Sequence, residues 1–205
     1  MRKNEFMETW SRLHGNAPIS GIVKAWLNIS YLVANSLLKI KLSANFVTCL
    51  GLLFAVLLYI FAKESWSVIF LILSLFADGI DGSIAIIANK SSKFGALLDA
   101  AIDKVAELFW ILALYKIGVN LELLILIMIL ALSQEYLRAR SSGVGLKEVG
   151  VITIAERPVR ATFTFFTLIM FSLKPESVDV PIYIWSFFQF FSFIILIRYV
   201  KASLT

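Results

Sequence analysis

Four aspartates lie inside two long apolar stretches of the chain, where acidic side chains are costly. Asp78 and Asp81 are three residues apart in WSVIFLILSLFADGIDGSIAIIA, and Asp99 and Asp103 are four apart in FGALLDAAIDKVAELFWILALY. Because helix neighbours recur every three or four residues, each pair lies on one face of its predicted helix. An acid at a membrane-helix centre costs about 2.5–3.5 kcal/mol, so four could cost ~10 kcal/mol. A protein is stable by only about 5–15 kcal/mol, so the acids need a compensating partner.

The two pairs are predicted to converge, because the apolar stretches are joined by the short loop NKSSK. A short connection makes two helices antiparallel neighbours. Counted from the loop, one aspartate of each pair lies roughly 12–15 Å along its helix and the other roughly 18–20 Å. Carboxylates without nearby His or Cys favour a hard divalent cation such as Mg²⁺, Mn²⁺ or Ca²⁺. The alternative is neutralisation by basic side chains, and the candidates are Lys104, Arg138, Arg140, Arg157 and Arg160.

Small residues flank the acids on both helices, at Gly82, Ala85, Gly95 and Ala96. They would let a large group approach the backbone, and beside a metal site they favour a bound nucleotide or phosphate. Tight helix packing through small residues is the alternative interpretation.

The elements that must position these residues are membrane helices. Of 205 residues, 60% are hydrophobic, and their long runs exclude a soluble globule. We predict an all-α integral membrane protein whose spans lie at 44–62, 65–88, 94–116, 119–139, 157–174 and 181–200. Residues 1–205 are predicted to form one domain, in which 1–41 are a leader and juxtamembrane segment and 44–200 a six-helix bundle.

The first forty residues differ from the spans. Apolar residues at helical spacing in Pro18–Lys41 predict an amphipathic helix in the cytoplasmic interface, with a seventh span as the alternative. No apolar run follows the N-terminal basic residues, so a cleaved signal peptide is not expected. His14 lies in the polar leader and is predicted to be solvated, and the lone Cys49 is predicted to be a packing residue.

Basic residues indicate the orientation of the chain in the membrane. Of the 19 Lys and Arg residues, only Lys63, Lys116 and Lys174 fall on the side opposite the N-terminus. The positive-inside rule therefore places both termini in the cytoplasm and the acids towards that side. The net charge of +5 follows from this asymmetry and from anionic lipids, and it makes no case for binding nucleic acid.

The stretch DGIDGSIAIIANKSSKFGALLDAAID resembles the signature of the CDP-alcohol phosphatidyltransferase family, D-x2-D-G-x2-A-R-x8-G-x3-D-x3-D. The matching positions are Asp78, Asp81, Gly82, Ala85, Gly95, Asp99 and Asp103. The family is also similar in having a juxtamembrane helix followed by six spans. One position departs: the signature Arg, which lies beside the CDP portion of the donor in the family, is Ile86 here, and Lys90 or Lys93 could take over its role.

The resemblance implies roles for the four aspartates. Asp78, Asp81 and Asp99 would ligate one or two Mg²⁺ or Mn²⁺ ions. Asp103 would be the general base and a further ligand of the second ion. The implied enzyme is a homodimer of the cell membrane whose active site faces the cytoplasm, among membrane lipids.

The resemblance also implies a CDP-linked lipid as donor. Gly82 and Ala85 would face its cytidine. Asn45, Thr48 and Ser92 are similar to donor-contacting residues of relatives, although Asn45 and Thr48 could equally be a helix N-cap and a span-start hydroxyl.

Four arginines are the candidates for binding the acceptor. Arg138 and Arg140 lie in SQEYLRARSSG, and Arg157 and Arg160 in AERPVR. Their guanidiniums suit a phosphorylated polyol, either inositol phosphate or glycerol phosphate, and positive-inside flanking is the alternative. The two segments resemble the Y-x-R-A-R and E-R-x-x-R stretches of phosphatidylinositol-phosphate and archaetidylinositol-phosphate synthases.

The leading hypothesis is therefore an enzyme that transfers a phosphatidyl or archaetidyl group from a CDP-lipid to inositol phosphate and releases CMP. Glycerol phosphate and serine are the alternative acceptors. A cation transporter and a non-catalytic CDP-lipid binder are the alternatives from other classes.

Overall fold

The chain is all-helical over the residues that the computed structural model describes, 1–146 and 153–204, which contain no strand. The helices are α1 Lys3–Leu13, α2 Gly21–Lys39, α3 Ala44–Ile60, α4 Val68–Ile87, α5 Lys93–Lys116, α6 Leu121–Gly143, α7 Arg157–Leu173 and α8 Asp179–Leu204. A short 3₁₀ turn, Pro175–Ser177, precedes α8. The all-α fold class is confirmed. Lys147, between the predicted spans 119–139 and 157–174, lies outside the described residues.

Each of the six predicted spans coincides with one helix from α3 to α8. Within the described part of the chain, two helices, Val68–Ile87 and Pro175–Leu204, are long and apolar enough to cross a membrane, and the bent pair α2 and α3 would make a third. Helices α3 and α7 have 17 residues each, somewhat short of the roughly 20 that cross a bilayer. Helix α5 carries its own acids, which lower its hydropathy. The structure thus supports a membrane protein, and the count of six spans stays a prediction.

Two helices continue by a full turn beyond the C-terminal ends of their predicted spans. Helix α6 continues through the polar residues after 139 to Gly143, and α8 continues past 200 to Leu204. Hydropathy marks where an apolar run stops, whereas a helix continues as long as its backbone can hydrogen-bond and its residues favour helix. The additional turns, RSSG and KASL, are mostly polar or small residues, which a hydropathy pattern does not assign to a span.

Helix α1 was not predicted as an element. Its first turn is closed by Glu5 Oε2, which accepts from Arg2 N at 3.3 Å, and Phe6 is fully buried beneath it. Tyr31 of α2 packs its ring 5.5 Å from Phe6 and donates its hydroxyl to the Met1 carbonyl at 3.0 Å. The signal in the sequence was the spacing of Phe6 and Trp10, one helical turn apart, which the surrounding polar residues obscured.

The connection between α4 and α5 reverses the chain within five residues, 88–92. Asn89 takes a left-handed conformation with φ +52°, and Lys90 N donates to the Ala85 carbonyl at 3.0 Å, which ends α4. Ser92 then begins α5, since its Oγ accepts from Gly95 N at 2.9 Å. The predicted hairpin is therefore present, with an end signal on one helix and a cap on the other.

The chain divides into two compact units. The first comprises Met1–Val56 and Ile72–Ala106, and the second Leu57–Leu71 and Glu107–Thr205. The first is built on one apolar cluster, formed by Phe6, Leu27, Ala34, Val47, Ala77, Ile80, Ile84, Ile86 and Ile87. That the chain is a single domain stays a prediction.

The second unit has a polar centre between α6 and α8. Gln189 Nε2 donates to Gln134 Oε1 at 3.0 Å, and Gln134 Nε2 donates to Thr153 Oγ1 at 2.8 Å. Gln134 and Gln189 are fully buried. Amide groups in an apolar interior are costly unless they form hydrogen bonds, so this series of hydrogen bonds fixes the register of α6 and α8.

Candidate active site

Three of the four predicted acids meet between α4 and α5. One carboxylate oxygen from each of Asp78, Asp99 and Asp103 lies within 4.8 Å of the others, and all three side chains are partly buried. Two oxygens bound to one Mg²⁺, Mn²⁺ or Ca²⁺ ion lie at most about 4–5 Å apart, because each metal–oxygen bond is roughly 2.0–2.6 Å. The spacing therefore fits a shared divalent ion, and the all-oxygen donor set fits a hard one.

Electrostatics also favour a cation at these acids. Two ionised carboxylates 4.8 Å apart repel by about 3 kcal/mol at an effective dielectric constant of about 20. Three such pairs amount to ~10 kcal/mol, which is close to the whole stability of a domain. A divalent ion between the oxygens would convert this repulsion into attraction.

Asp81 lies beside this group and is held differently. It is 5% exposed, its Oδ2 accepts from Thr48 Oγ1 at 2.6 Å, and its Oδ1 accepts from Gly82 N. Thr48 Oγ1 also lies 3.1 Å from the Ala44 carbonyl, so its single proton is shared between two acceptors. Helix α3 thereby orients an acid of α4. The sequence singled out Thr48 for contact with the donor, and its link to Asp81 was not foreseen.

A cleft of about 240 Å³ opens from the acids, and Asp81 and Asp99 form part of its lining. Gly82, Ala85, Gly95 and Ala96 line it as well. The small residues predicted to clear the helix faces therefore do border an open space.

The glycines show which of these small residues serve packing. A Cβ on Gly79 would overlap the Trp26 ring, and one on Gly51 would touch Ala77 and the Ser74 carbonyl at 3.4 Å. A Cβ on Gly82 would meet nothing within 4 Å among the described atoms. Close packing explains why residues 79 and 51 are glycines. The space beside Gly82, by contrast, is open and can be filled by a ligand.

The remaining predicted donor residues also lie on the cleft. Asn45, Thr48 and Ser92 are among its lining residues. Asn45 is exposed and does not cap α3, because Ser43 Oγ accepts from Phe46 N at 3.2 Å. Ser92 caps α5, and a Cβ on Gly95 would lie 3.0 Å from its Oγ.

Ile86, at the position of the signature Arg, belongs to an apolar cluster and also lines the cleft. It is 7% exposed and belongs to the apolar cluster that contains Phe6 of α1. It also borders the cleft, together with Lys90. Lys90 is exposed in the middle of the α4–α5 connection, whereas Lys93 is not among the residues lining the cleft.

The predicted acceptor arginines lie in the second unit, and two of them share a glutamate. Arg160 is 1% exposed and its Nη2 lies 2.9 Å from Glu107 Oε1, while Arg157 Nε lies 3.7 Å from the same oxygen. Arg160 also donates to Glu135 Oε1 at 3.3 Å and to the Ala155 carbonyl at 2.9 Å. These hydrogen-bond partners of the Arg160 guanidinium all lie in the second unit.

Arg138 and Arg140 sit in the last turns of α6. Arg138 Nη2 lies 2.5 Å from Glu156 Oε1, an oxygen that Thr153 also contacts through N and Oγ1. Arg140 is exposed. The pairing of Arg138 and Arg160 with glutamates gives no support to their being the counter-ions of the aspartates.

Sequence reasoning missed the glutamates. Glu107 follows Asp103 by one helical turn, and Glu156 directly precedes Arg157, so both could have been noted. Their partners could not, because the Arg160–Glu107 contact joins residues 53 apart in sequence.

Comparison with known proteins identifies the family. The model of the CDP-alcohol phosphatidyltransferase family matches residues 41–200. A phosphatidylinositol phosphate synthase of Corynebacterium glutamicum is 28% identical over 83% of this chain and 80% of its own. An archaetidylinositol phosphate synthase of Pyrococcus horikoshii is 28% identical over 75% of this chain and 83% of its own.

The fold matches solved structures as well. A crystal structure of the Mycobacterium tuberculosis phosphatidylinositol phosphate synthase with CDP-DAG bound has a TM-score of 0.73 at 20% identity, covering 84% of this chain and 94% of that one. A second crystal structure of that enzyme, with manganese and citrate, gives the same TM-score at 19% identity, covering 84% and 88%.

These matches confirm the family resemblance that the aspartate spacing indicated. They also confirm that the chain is similar to phosphatidylinositol-phosphate and archaetidylinositol-phosphate synthases. The chain belongs to the CDP-alcohol phosphatidyltransferase family and is a membrane-associated, CMP-releasing phosphotransferase.

Proposed function

We propose that this enzyme transfers a phosphatidyl or archaetidyl group from a CDP-linked lipid to a hydroxyl of inositol phosphate and releases CMP. The observation that carries the proposal is the acid group of Asp78, Asp99 and Asp103 beside a cleft whose wall at Gly82 is open. The relatives named for phosphatidylinositol phosphate and archaetidylinositol phosphate support the acceptor.

Asp78, Asp81, Asp99 and Asp103 would hold one or two Mg²⁺ or Mn²⁺ ions. When bound, a divalent ion supplies positive charge to the diphosphate of the donor and to the departing CMP. Thr48 keeps Asp81 oriented through the 2.6 Å hydrogen bond, so the ligand set is positioned before substrate arrives.

Asp103 would also be the general base. One of its carboxylate oxygens takes the proton of the acceptor hydroxyl as the hydroxyl oxygen bonds to the phosphorus and the phosphorus–oxygen bond to CMP breaks. The proton passes to the carboxylate and the electron pair of the broken bond leaves with CMP. Most of the rate enhancement comes from positioning and electrostatics, as in other phosphoryl transfers.

The donor's nucleotide would lie along the cleft. Gly82 and Ala85 are proposed to face the cytidine, and Asn45 and Ser92 to contact the donor from α3 and the start of α5. Thr48 lines the same cleft and contributes there as well as through Asp81.

The acceptor's phosphate would be bound by the arginines of the second unit. Arg138, Arg140 and Arg157 retain exposure and can present donors to a phosphate. Arg160 is buried and its nitrogens already donate to Glu107, Glu135 and Ala155. We therefore assign it the positioning of Arg157 through the shared Glu107.

We further propose that α3–α8 all cross the cell membrane, with both termini and the active site facing the cytoplasm, and that the enzyme is a homodimer. The distribution of Lys and Arg along the chain supports the orientation.

The function is tested by CMP release from purified protein, with CDP-diacylglycerol or CDP-archaeol as donor and Mg²⁺ or Mn²⁺ present. Inositol phosphate, glycerol 3-phosphate and serine are supplied separately. We expect release with inositol phosphate, its loss on chelation with EDTA, and a fall of about 10²–10⁴-fold in Asp103→Asn with donor binding retained. Release with glycerol 3-phosphate or serine but none with inositol phosphate would show that the acceptor is wrong.

The same assay separates the enzyme from a transporter or a passive lipid binder. A passive binder would retain CDP-lipid and release no CMP with any acceptor. A transporter would move cations across proteoliposomes whether or not CDP-lipid is present.

A further inference from the structure

The N-terminal helix α1 brings a histidine to the cleft. Helix α1 is anchored by the buried Phe6 and by the hydrogen bond from Tyr31 to the Met1 carbonyl. In the last turn of α1, Ser11 Oγ donates to the Ala17 carbonyl at 2.8 Å, which holds the turn that follows the helix. Leu13 and His14 then line the cleft that starts at Asp81 and Asp99.

Two contacts fix the His14 ring. It stacks on Trp10 with ring centroids 4.0 Å apart and planes 18° from parallel, and its Nδ1 lies 2.8 Å from the Trp10 carbonyl oxygen. A carbonyl oxygen only accepts, so Nδ1 carries the hydrogen of this bond. In the neutral ring, Nε2 is then a hydrogen-bond acceptor.

His14 belongs to the outer part of the cleft. Asp81 is 5% exposed and Asp99 partly buried, whereas His14, Lys90 and Ser91 are exposed. A donor whose diphosphate lies at the acids has two ends, a nucleoside and a lipid. The lipid belongs in the membrane, so the polar outer part of the cleft is left for the base.

We infer that His14 recognises the base of the nucleotide donor, and that its Nε2 accepts a hydrogen bond from the exocyclic amine of cytosine. Uracil presents a carbonyl at that position, and two acceptors facing each other repel. His14 is thus a specificity-determining residue, and this inference rests on the proposed function. It assigns no part to His14 in the chemical step.

The position of the signature Arg fits this assignment. Ile86 packs in the apolar cluster with Phe6, the residue that anchors α1. The side chain at this position therefore belongs to the apolar packing that holds α1, and with it His14, at the cleft.

Binding of CMP and UMP to the purified protein with Mg²⁺ present tests the inference. We expect wild type to prefer CMP. His14→Ala should weaken CMP binding by about 3–10-fold, the range for one neutral hydrogen bond, and should leave UMP binding unchanged or slightly tighter because the repulsion between the two acceptors is removed. His14→Gln, whose side-chain carbonyl can accept, should keep part of the preference. Arg12→Ala is the matched control, because Arg12 is exposed on the same helix, bonds Thr9 and does not line the cleft, and its preference should equal wild type.

The inference is overturned if His14→Ala weakens CMP and UMP equally, or if it changes neither. Both results differ from a failure of the proposed function, in which wild type itself would release no CMP from a CDP-lipid.

Discussion

Thr48 is the residue through which α3 reaches the acids of α4. Its hydroxyl lies 2.6 Å from Asp81 Oδ2, and both side chains are buried. Partners that orient a metal ligand typically change metal affinity or activity by about 10–100-fold when removed. In the proposed metal site, Thr48 would therefore affect the ion through Asp81 without touching the ion itself.

Thr48→Val removes this hydroxyl and keeps the shape of the side chain. We expect the Mg²⁺ or Mn²⁺ concentration for half-maximal CMP release to rise by about 10-fold or more, because Asp81 loses the donor that orients it. Thr48→Ser retains the hydroxyl and should stay close to wild type. An unchanged metal dependence in Thr48→Val would contradict the role given to the Thr48–Asp81 bond.

The aspartates were predictable at the residue scale, whereas their supporting residues were not. The aspartates are three and four residues apart on two helices joined by a short loop, and this spacing sufficed to predict that Asp78, Asp99 and Asp103 lie close together. The Thr48–Asp81 bond spans 33 residues, and such a contact depends on how α3 packs against α4. No periodicity in either segment contains that information.

At the scale of elements, α1 depends on a single buried ring. It has 11 residues, and isolated helices shorter than about 12–15 residues are marginal in water. Truncation of a buried Phe to Ala costs about 3–5 kcal/mol, which is more than so short a helix gains by itself. Phe6 therefore decides whether α1 stays docked.

Phe6→Ala is expected to release α1 from α2 and to expose residues 1–16 to proteolysis. Limited proteolysis followed by mass spectrometry measures this as faster cleavage near the N-terminus, with the rest of the chain unaffected. Glu8→Ala, an exposed position on the same helix, is the control and should be cleaved like wild type. Equal cleavage rates in Phe6→Ala and wild type would show that other contacts hold α1.

Long apolar helices were predicted well and the short polar one was missed, for the same physical reason. Each helix from α3 to α8 coincides with an apolar run that is visible in the sequence. Helix α1 is polar around most of its surface, and its stability comes from Tyr31 and the core around Phe6. Tertiary packing of this kind outweighs local propensity in short helices.

On the scale of the whole molecule, the proposed orientation can be tested with single cysteines. The only native cysteine is Cys49. In a Cys49→Ser background, Lys174→Cys should react with an impermeant maleimide added to intact cells, and Lys201→Cys should react only after the cells are opened. Both lysines are exposed, so accessibility within the protein does not distinguish them. The reverse pattern would place the termini outside the cytoplasm.

The hairpin of α4 and α5 also has a consequence for biosynthesis. Helix α4 is apolar enough to enter a bilayer by itself, with mean hydropathy 1.9, whereas α5 carries Asp99, Asp103, Lys104 and Glu107. The ribosome completes α4 first, and α5 begins after only five further residues. In the proposed topology, α5 therefore leaves the translocon when α4 is already in the membrane and can pack against it. The acids of the two helices would come together as α5 inserts.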